Sequence, residues 1–132
     1  MPNPALRAYL LQVGPPVTTL STLLTPGVGY ISTPTFSNLY WEVQVRGLVT
    51  GLAAGLTAIR AINDVPQEAA AYHTMLLEAL NDMEIALERA NGALDRQDKF
   101  LLAEAHISIQ RYLAQGRTRR DLLFTLIDLA QR

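Results

Sequence analysis

Residues 72–94, YHTMLLEALNDMEIALERANGAL, carry the clearest helical pattern in the chain. Apolar side chains recur there mostly at three- and four-residue steps, the spacing that places them on one face of an α-helix. They are Tyr72, Leu76, Ala79, Met83, Ala86, Ala90 and Leu94. The acidic residues Glu78, Asp82, Glu84 and Glu88 lie off this stripe. The segment therefore predicts an amphipathic helix that buries one face against other helices.

A second helical pattern precedes this segment. Apolar residues recur at three-, four- and five-residue steps over residues 38–62, with Ser37 or Asn38 as the candidate N-cap. Residues 39–45 also alternate between apolar and polar side chains, which is typical of a strand; we favour the helix. Asp64 and Gln67 have the spacing of a capping box that would open the next helix.

Two more helices are predicted towards the C-terminus. Asp98 is the candidate N-cap of a helix over residues 99–115, with Gly116 as its glycine C-cap. Thr118 and Asp121 form another capping box, which would open a last helix to about residue 130. Short connections favour antiparallel neighbours. Residues 38–132 are therefore predicted to form an antiparallel bundle of about four helices.

The first 37 residues have a different composition. Residues 8–41 contain no charged side chain, and six of the seven prolines of the chain precede residue 35. Residues 17–24 are rich in β-branched residues, and Thr25-Pro26-Gly27 is a turn signal. We therefore predict that residues 1–37 form an irregular or extended N-terminal arm, with a short β-hairpin as one form of it.

The neutral arm is too apolar to be a typical disordered segment. Its candidate contact residues are Leu10, Leu11, Leu20, Leu23, Leu24, Tyr30, Ile31 and Phe36. An apolar surface of this size is usually buried against another surface. The arm could fold onto its own bundle, cross a neighbouring subunit or, the least favoured alternative, contact a membrane. We expect that deleting residues 1–36 leaves the helices folded and removes higher-order assembly.

Small residues recur at four-residue spacing in the predicted helix 38–62. They are Gly47, Gly51, Gly55 and the nearby Ala58. Three glycines inside a helix cost roughly 3 kcal/mol relative to alanine, and close approach of a second helix is the usual compensation. That helix could belong to the same bundle or to another subunit.

No catalytic or metal-binding motif stands out. Neither His73 nor His106 has a glutamate three residues before it, as a helical di-iron site would need. We therefore predict no cofactor, no metal and no enzymatic activity. Arg117, Arg119 and Arg120 form a small basic cluster. The cluster could bind a phosphate, but we favour ion pairs with acidic residues such as Glu84 or Glu88.

Composition narrows the class of partner. Hydrophobic residues make up 49% of the chain and charged residues 17%, with a net charge of −1 and no cysteine. This balance gives no electrostatic attraction to nucleic acid, and disulfides are excluded. The longest uncharged helical candidate, between Arg46 and Arg60, is too short to span a bilayer. We expect no signal peptide, and the compartment stays open.

Two functional hypotheses follow. The first is a non-enzymatic, self-associating structural protein, such as a subunit of a filament, capsid or ring. Its neutral arm and glycine-striped helix would make the subunit contacts, so its partner would be a second copy of itself. The second is a small helical binding or adaptor module, monomeric or dimeric, whose arm closes its own core.

Overall fold

A computed structural model describes residues 3–132. These residues form five α-helices: α1 (Pro4–Ser32), α2 (Leu39–Arg60), α3 (Ala70–Arg96), α4 (Lys99–Ala114) and α5 (Gly116–Gln131). A short 3₁₀ turn, Gln67–Ala69, precedes α3. The main packing pairs are α1 with α2 and α3 with α4, and α2 joins the pairs by packing on α3. The predicted helical bundle is confirmed, including the helical interpretation of residues 39–45.

The prediction of an extended arm or hairpin is wrong, because residues 4–32 form the longest helix of the described chain. Asn3 caps it by accepting a hydrogen bond from the Leu6 backbone N–H at 3.1 Å. Pro4 occupies the first turn, where its missing N–H costs nothing. The buried side chains follow helical spacing over most of its length; they are Leu6, Tyr9, Val13, Leu20, Leu24 and Ile31.

The helix continues through Pro15, Pro16 and Pro26. An interior proline costs about 3 kcal/mol relative to alanine. Burying one large apolar side chain contributes roughly 1.5–3 kcal/mol, and α1 buries six of them. Gly14 precedes the proline pair and, lacking a Cβ atom, reduces the conflict with the Pro15 ring. Tertiary burial therefore outweighs local propensity in α1.

The turn between α1 and α2 is held by aromatic contacts. α1 ends at Ser32, two residues before Pro34. The Trp41 indole N–H donates to the Tyr30 carbonyl at 2.8 Å, and the rings of Phe36 and Trp41 meet edge to face at 5.2 Å. These contacts fix α2 alongside α1.

Two of the predicted caps form. Asn38 accepts from the Trp41 N–H at 3.2 Å and so caps α2. Asp98 accepts from the N–H groups of Phe100 and Leu101 and so caps α4. Gln97, between α3 and α4, adopts the left-handed conformation with φ 52°.

The two predicted capping boxes, at Asp64 and at Thr118, do not form. Pro66, rather than Asp64, precedes the 3₁₀ turn, and no side chain caps that turn. Gly116 begins α5 instead of ending α4, and the first turn of α5 has no side-chain cap. Only Gln115 separates α4 from α5, so no room is left for a cap at Thr118.

The core lies between the first four helices. Its fully buried large side chains include Tyr9, Leu20, Leu52, Ile59, Leu76, Leu80, Met83, Leu102 and Ile109. α5 contributes only Leu126 and, unexpectedly, Arg119 to the buried residues. α5 therefore lies at the margin of the core, where it forms grooves with its neighbours.

Candidate functional site

The glycine strip of α2 faces α1 of the same chain at two of its positions. A Cβ atom on Gly51 would lie 2.6 Å from Leu23 Cδ1, and one on Gly55 would lie 2.9 Å from Leu20 Cδ2. Gly47 has open space around it, and Ala58 is exposed. The approach is reciprocal, because a Cβ atom on Gly27 of α1 would lie 2.7 Å from Leu48 Cδ2. Close packing thus occurs within the chain at Gly51 and Gly55.

The predicted arm contacts divide into three groups. Leu20, Leu24 and Ile31 are buried in the core. Leu10, Leu23, Tyr30 and Phe36 are partly buried and pack against it. Leu11 alone is exposed, with 68% of its surface accessible.

An apolar groove runs along the seam between α1 and α5. It encloses about 410 Å³ and includes Leu11, Phe124 and Ile127 in its lining, with Arg7 and Gln131 among its polar members. Phe124 is 58% exposed. We call this surface the α1/α5 groove. Large exposed apolar side chains that share one groove indicate a contact surface.

A separate cavity of about 400 Å³ lies where α1, α3, α4 and α5 meet. Arg119 lines it and is only 6% exposed. Its Nη2 donates to the Tyr112 carbonyl at 2.7 Å, and its guanidinium lies 4.4 Å from the centre of the Tyr112 ring. Its Nη1 is buried and has no hydrogen-bond partner among the described residues.

The predicted ion pairing of the basic cluster is wrong. Within residues 3–132, none of Arg117, Arg119 and Arg120 comes within ion-pair distance of an acidic side chain. Glu84 pairs instead with Arg60 of α2 at 2.6 Å. An ion buried without a counter-ion costs several kcal/mol, so Arg119 is the most unusual charge in the described chain.

Two tyrosines beside Arg119 supply no counter-charge. Burial raises the pKa of Tyr72 to about 12, with a further increase from Tyr112 and an opposing effect of Arg119. Burial also raises the pKa of Tyr112, against the opposing effect of Arg119. Both phenols are therefore neutral near pH 7, and they can offer hydrogen bonds but not a negative charge.

A buried polar pair joins α1 to α3. The Tyr9 hydroxyl lies 2.9 Å from His73 Nδ1, and the two rings meet edge to face at 5.6 Å. The pKa of Tyr9 is raised, mainly by burial. The pKa of His73 is lowered by burial alone. The pair is uncharged near neutral pH and links two core helices.

The described residues offer no cluster for metal binding. No group of three or more His, Asp or Glu side chains in residues 3–132 could hold an ion together. His106 lies on α4, where its Nε2 is 3.2 Å from Gln110 Nε2. The two histidines are thus used separately, each in a hydrogen bond with one neighbouring side chain.

The chain was compared with known families, curated proteins and solved structures. No family model, curated protein or solved structure matches the chain. Within residues 3–132, no helix is both long enough and apolar enough to cross a membrane.

Two features were not predicted from the sequence. The Tyr9–His73 pair joins residues 64 positions apart, and no local pattern marks such a contact. The buried position of Arg119 depends on the one-residue junction between α4 and α5. The sequence marks Arg119 only as one of three basic residues in the cluster.

Proposed function

We propose that the protein is a self-associating structural protein whose outward α1 face, together with the α1/α5 groove, contacts a second copy. The observation that carries the proposal is the charge-free exposed surface of α1. Beyond Arg7, every exposed residue of this helix is uncharged. A soluble surface usually carries roughly a quarter to a third charged residues. A neutral face of this length is therefore typical of a surface that is covered.

Three hydroxyl groups of this face add little cost to its burial. Thr19 donates to the Pro15 carbonyl and Thr25 to the Ser21 carbonyl, both at 3.0 Å. Ser32 donates to the Gly29 carbonyl at 3.1 Å. A polar group that is already hydrogen-bonded within its own helix loses little when water is excluded. The α1 face can therefore be covered without leaving these donors unsatisfied.

A second copy of the chain suits this surface better than a charged partner. A two-fold interface brings the same patch of both subunits together, so any charge near the axis would face its like. Residues 8–41 carry no charge, and no repulsion would arise there. The α1/α5 groove adds Leu11 and Phe124 as large apolar contacts.

The test compares two matched substitutions of exposed apolar residues. Leu11→Glu places a charge in the α1/α5 groove, whereas Ile107→Glu places one on α4, where Ile107 is 53% exposed. By sedimentation equilibrium, we expect Leu11→Glu to lower the average mass and Ile107→Glu to leave it unchanged. If both variants have the same mass as the unsubstituted chain at every concentration, the groove is not the contact.

A small helical binding or adaptor module is the second candidate. It is favoured by the packing of α1 into the core of its own chain, which buries the segment that was predicted to cross to a neighbouring subunit. In that case the α1/α5 groove would receive an apolar segment of another protein. A chain that stays monomeric at all concentrations would support this candidate over the first.

A further inference from the structure

The cavity beside Arg119 has the composition of an anion-binding site. Two arginines, Arg119 and Arg120, line it, and no carboxylate does. Three hydroxyl side chains of α1 complete its polar wall: Thr18, Ser21 and Thr22. The rest of the lining consists of Tyr72, Tyr112, Gly116 and leucine and valine side chains, Leu76 and Leu123 among them. The cavity therefore combines a positive centre with apolar walls.

The positive charge of Arg119 is only partly compensated. The Tyr112 carbonyl lies in the last turn of α4, where helix carbonyls carry partial negative charge. This contact uses Nη2 and leaves Nη1 without a partner among the described residues. The uncapped first turn of α5, which includes Arg119, adds partial positive charge at the same place. A net positive potential therefore remains inside the cavity.

We propose that this cavity binds a small organic carboxylate with an apolar body. The carboxylate would accept hydrogen bonds from the guanidinium groups of Arg119 and Arg120 in the lining, since an ionised donor and an ionised acceptor form the stronger hydrogen bonds. The hydroxyl groups of Ser21 and Thr22 are within the same lining and would supply further donors. The apolar body would lie against the leucine and valine walls. A volume of about 400 Å³ falls in the range of sites for small ligands.

This site does not coincide with the α1/α5 groove of the proposed self-association, although its α1 wall belongs to the exposed surface of the same helix. The α1/α5 groove is centred on Leu11 and Phe124, which do not line the Arg119 cavity, although Thr18 and Leu123 border both. The Leu11→Glu chain should therefore bind the ligand as the unsubstituted chain does. Failure of one proposal leaves the other standing.

Octanoate is the probe and 1-octanol its uncharged counterpart. By titration calorimetry, we expect octanoate to bind the unsubstituted chain at least about tenfold more tightly than 1-octanol, since the alcohol carries no negative charge to pair with the guanidinium. Arg119→Met should weaken octanoate binding by about tenfold or more. Arg117→Met is the matched control, because Arg117 is exposed and does not line the cavity, and it should leave the affinity unchanged.

A measurement on the unsubstituted chain covers the case in which Arg119→Met does not fold. In a ¹⁵N NMR titration, octanoate should shift the side-chain Nε–Hε resonance of Arg119 and the amides at the start of α5. The proposal is overturned if octanoate and 1-octanol bind alike, if the Arg117 and Arg119 variants lose affinity equally, or if the shifts centre on Phe124 instead.

Discussion

Leu23 of α1 packs directly against the backbone of Gly51 of α2, so closely that a Cβ atom on Gly51 would lie 2.6 Å from Leu23 Cδ1. Gly27 and Leu48 form the reverse contact, with the glycine on α1 and the leucine on α2. The two helices thus each place a leucine over a glycine of the other. This packing holds the charge-free helix on the body of its own chain and leaves its opposite face outward.

The first prediction concerns this helix contact. Gly51→Leu should destabilise the fold by about 1–3 kcal/mol, because the added side chain overfills the space that Leu23 occupies. Gly47→Leu is the control, since a Cβ atom there meets nothing within 4 Å. Urea denaturation of both variants gives the comparison. Equal midpoints for the two would show that α1 does not lie against Gly51.

The second prediction concerns the left-handed residue between α3 and α4. Gln97→Gly should stabilise the fold by about 1 kcal/mol, because glycine adopts positive φ without the steric cost of a Cβ atom. Gln110→Gly should do the opposite by a similar amount, since Gln110 is exposed inside α4. Thermal unfolding by circular dichroism measures both. A lower melting temperature for Gln97→Gly would contradict the conformation at residue 97.

The third prediction is a pH dependence of stability from His73. Burial lowers the pKa of His73 in the folded chain, whereas the unfolded value is about 6.5. Between these two values the unfolded chain binds more protons, so stability is complete above about pH 6.5 and falls as the pH decreases towards the folded pKa.

His73→Gln should flatten this loss of stability as the pH falls below about 6.5. His106→Gln is the control and should retain the slope, because His106 bonds to Gln110 on α4 and lies outside the core. Melting temperatures across the pH series test the assignment. The same slope in the His73 variant and the unsubstituted chain would remove His73 as its source.

The fourth prediction replaces the expectation that the helices stay folded when residues 1–36 are deleted. This deletion should abolish cooperative unfolding, because α1 buries six large apolar side chains worth roughly 1.5–3 kcal/mol each. That sum is comparable with the whole stability of a small domain, about 5–15 kcal/mol. Deleting residues 127–132 is the control, since none of these residues is buried. A folded, cooperative bundle after the first deletion would contradict the position of α1.

The helices after residue 38 can be predicted from the sequence, because their apolar periodicity and their capping residues are local patterns that agree with one another. The stripe of residues 72–94 gives α3, and the side chains of Asn38 and Asp98 give the starts of α2 and α4. In α1 the signals conflict. Leu6, Tyr9 and Val13 have helical spacing, but Pro15, Pro16 and the threonines that follow disfavour a helix locally. The core that α1 enters settles the conflict, and the local sequence does not contain that core.

The candidate sites were predicted less well for the same reason. The glycine spacing predicts close approach of a second helix at Gly51 and Gly55, but it does not identify α1 as that helix, because the prolines of residues 1–37 favour an extended arm. The sequence favours ion pairs between the basic cluster, which includes Arg119, and acidic residues such as Glu84 or Glu88. The burial of Arg119 arises because α5 follows α4 after a single residue and turns this side chain under Tyr112, a geometry that no spacing of residues encodes.

The central claim, that the neutral face of α1 contacts a second copy, is tested most directly by the mass of the intact chain in solution. Sedimentation equilibrium over a wide range of protein concentration should give an average mass that rises above the 14.5 kDa of one chain. The rise should persist at high salt, because the proposed contact contains no ion pairs to screen. A mass of 14.5 kDa at every concentration and salt level would contradict the claim.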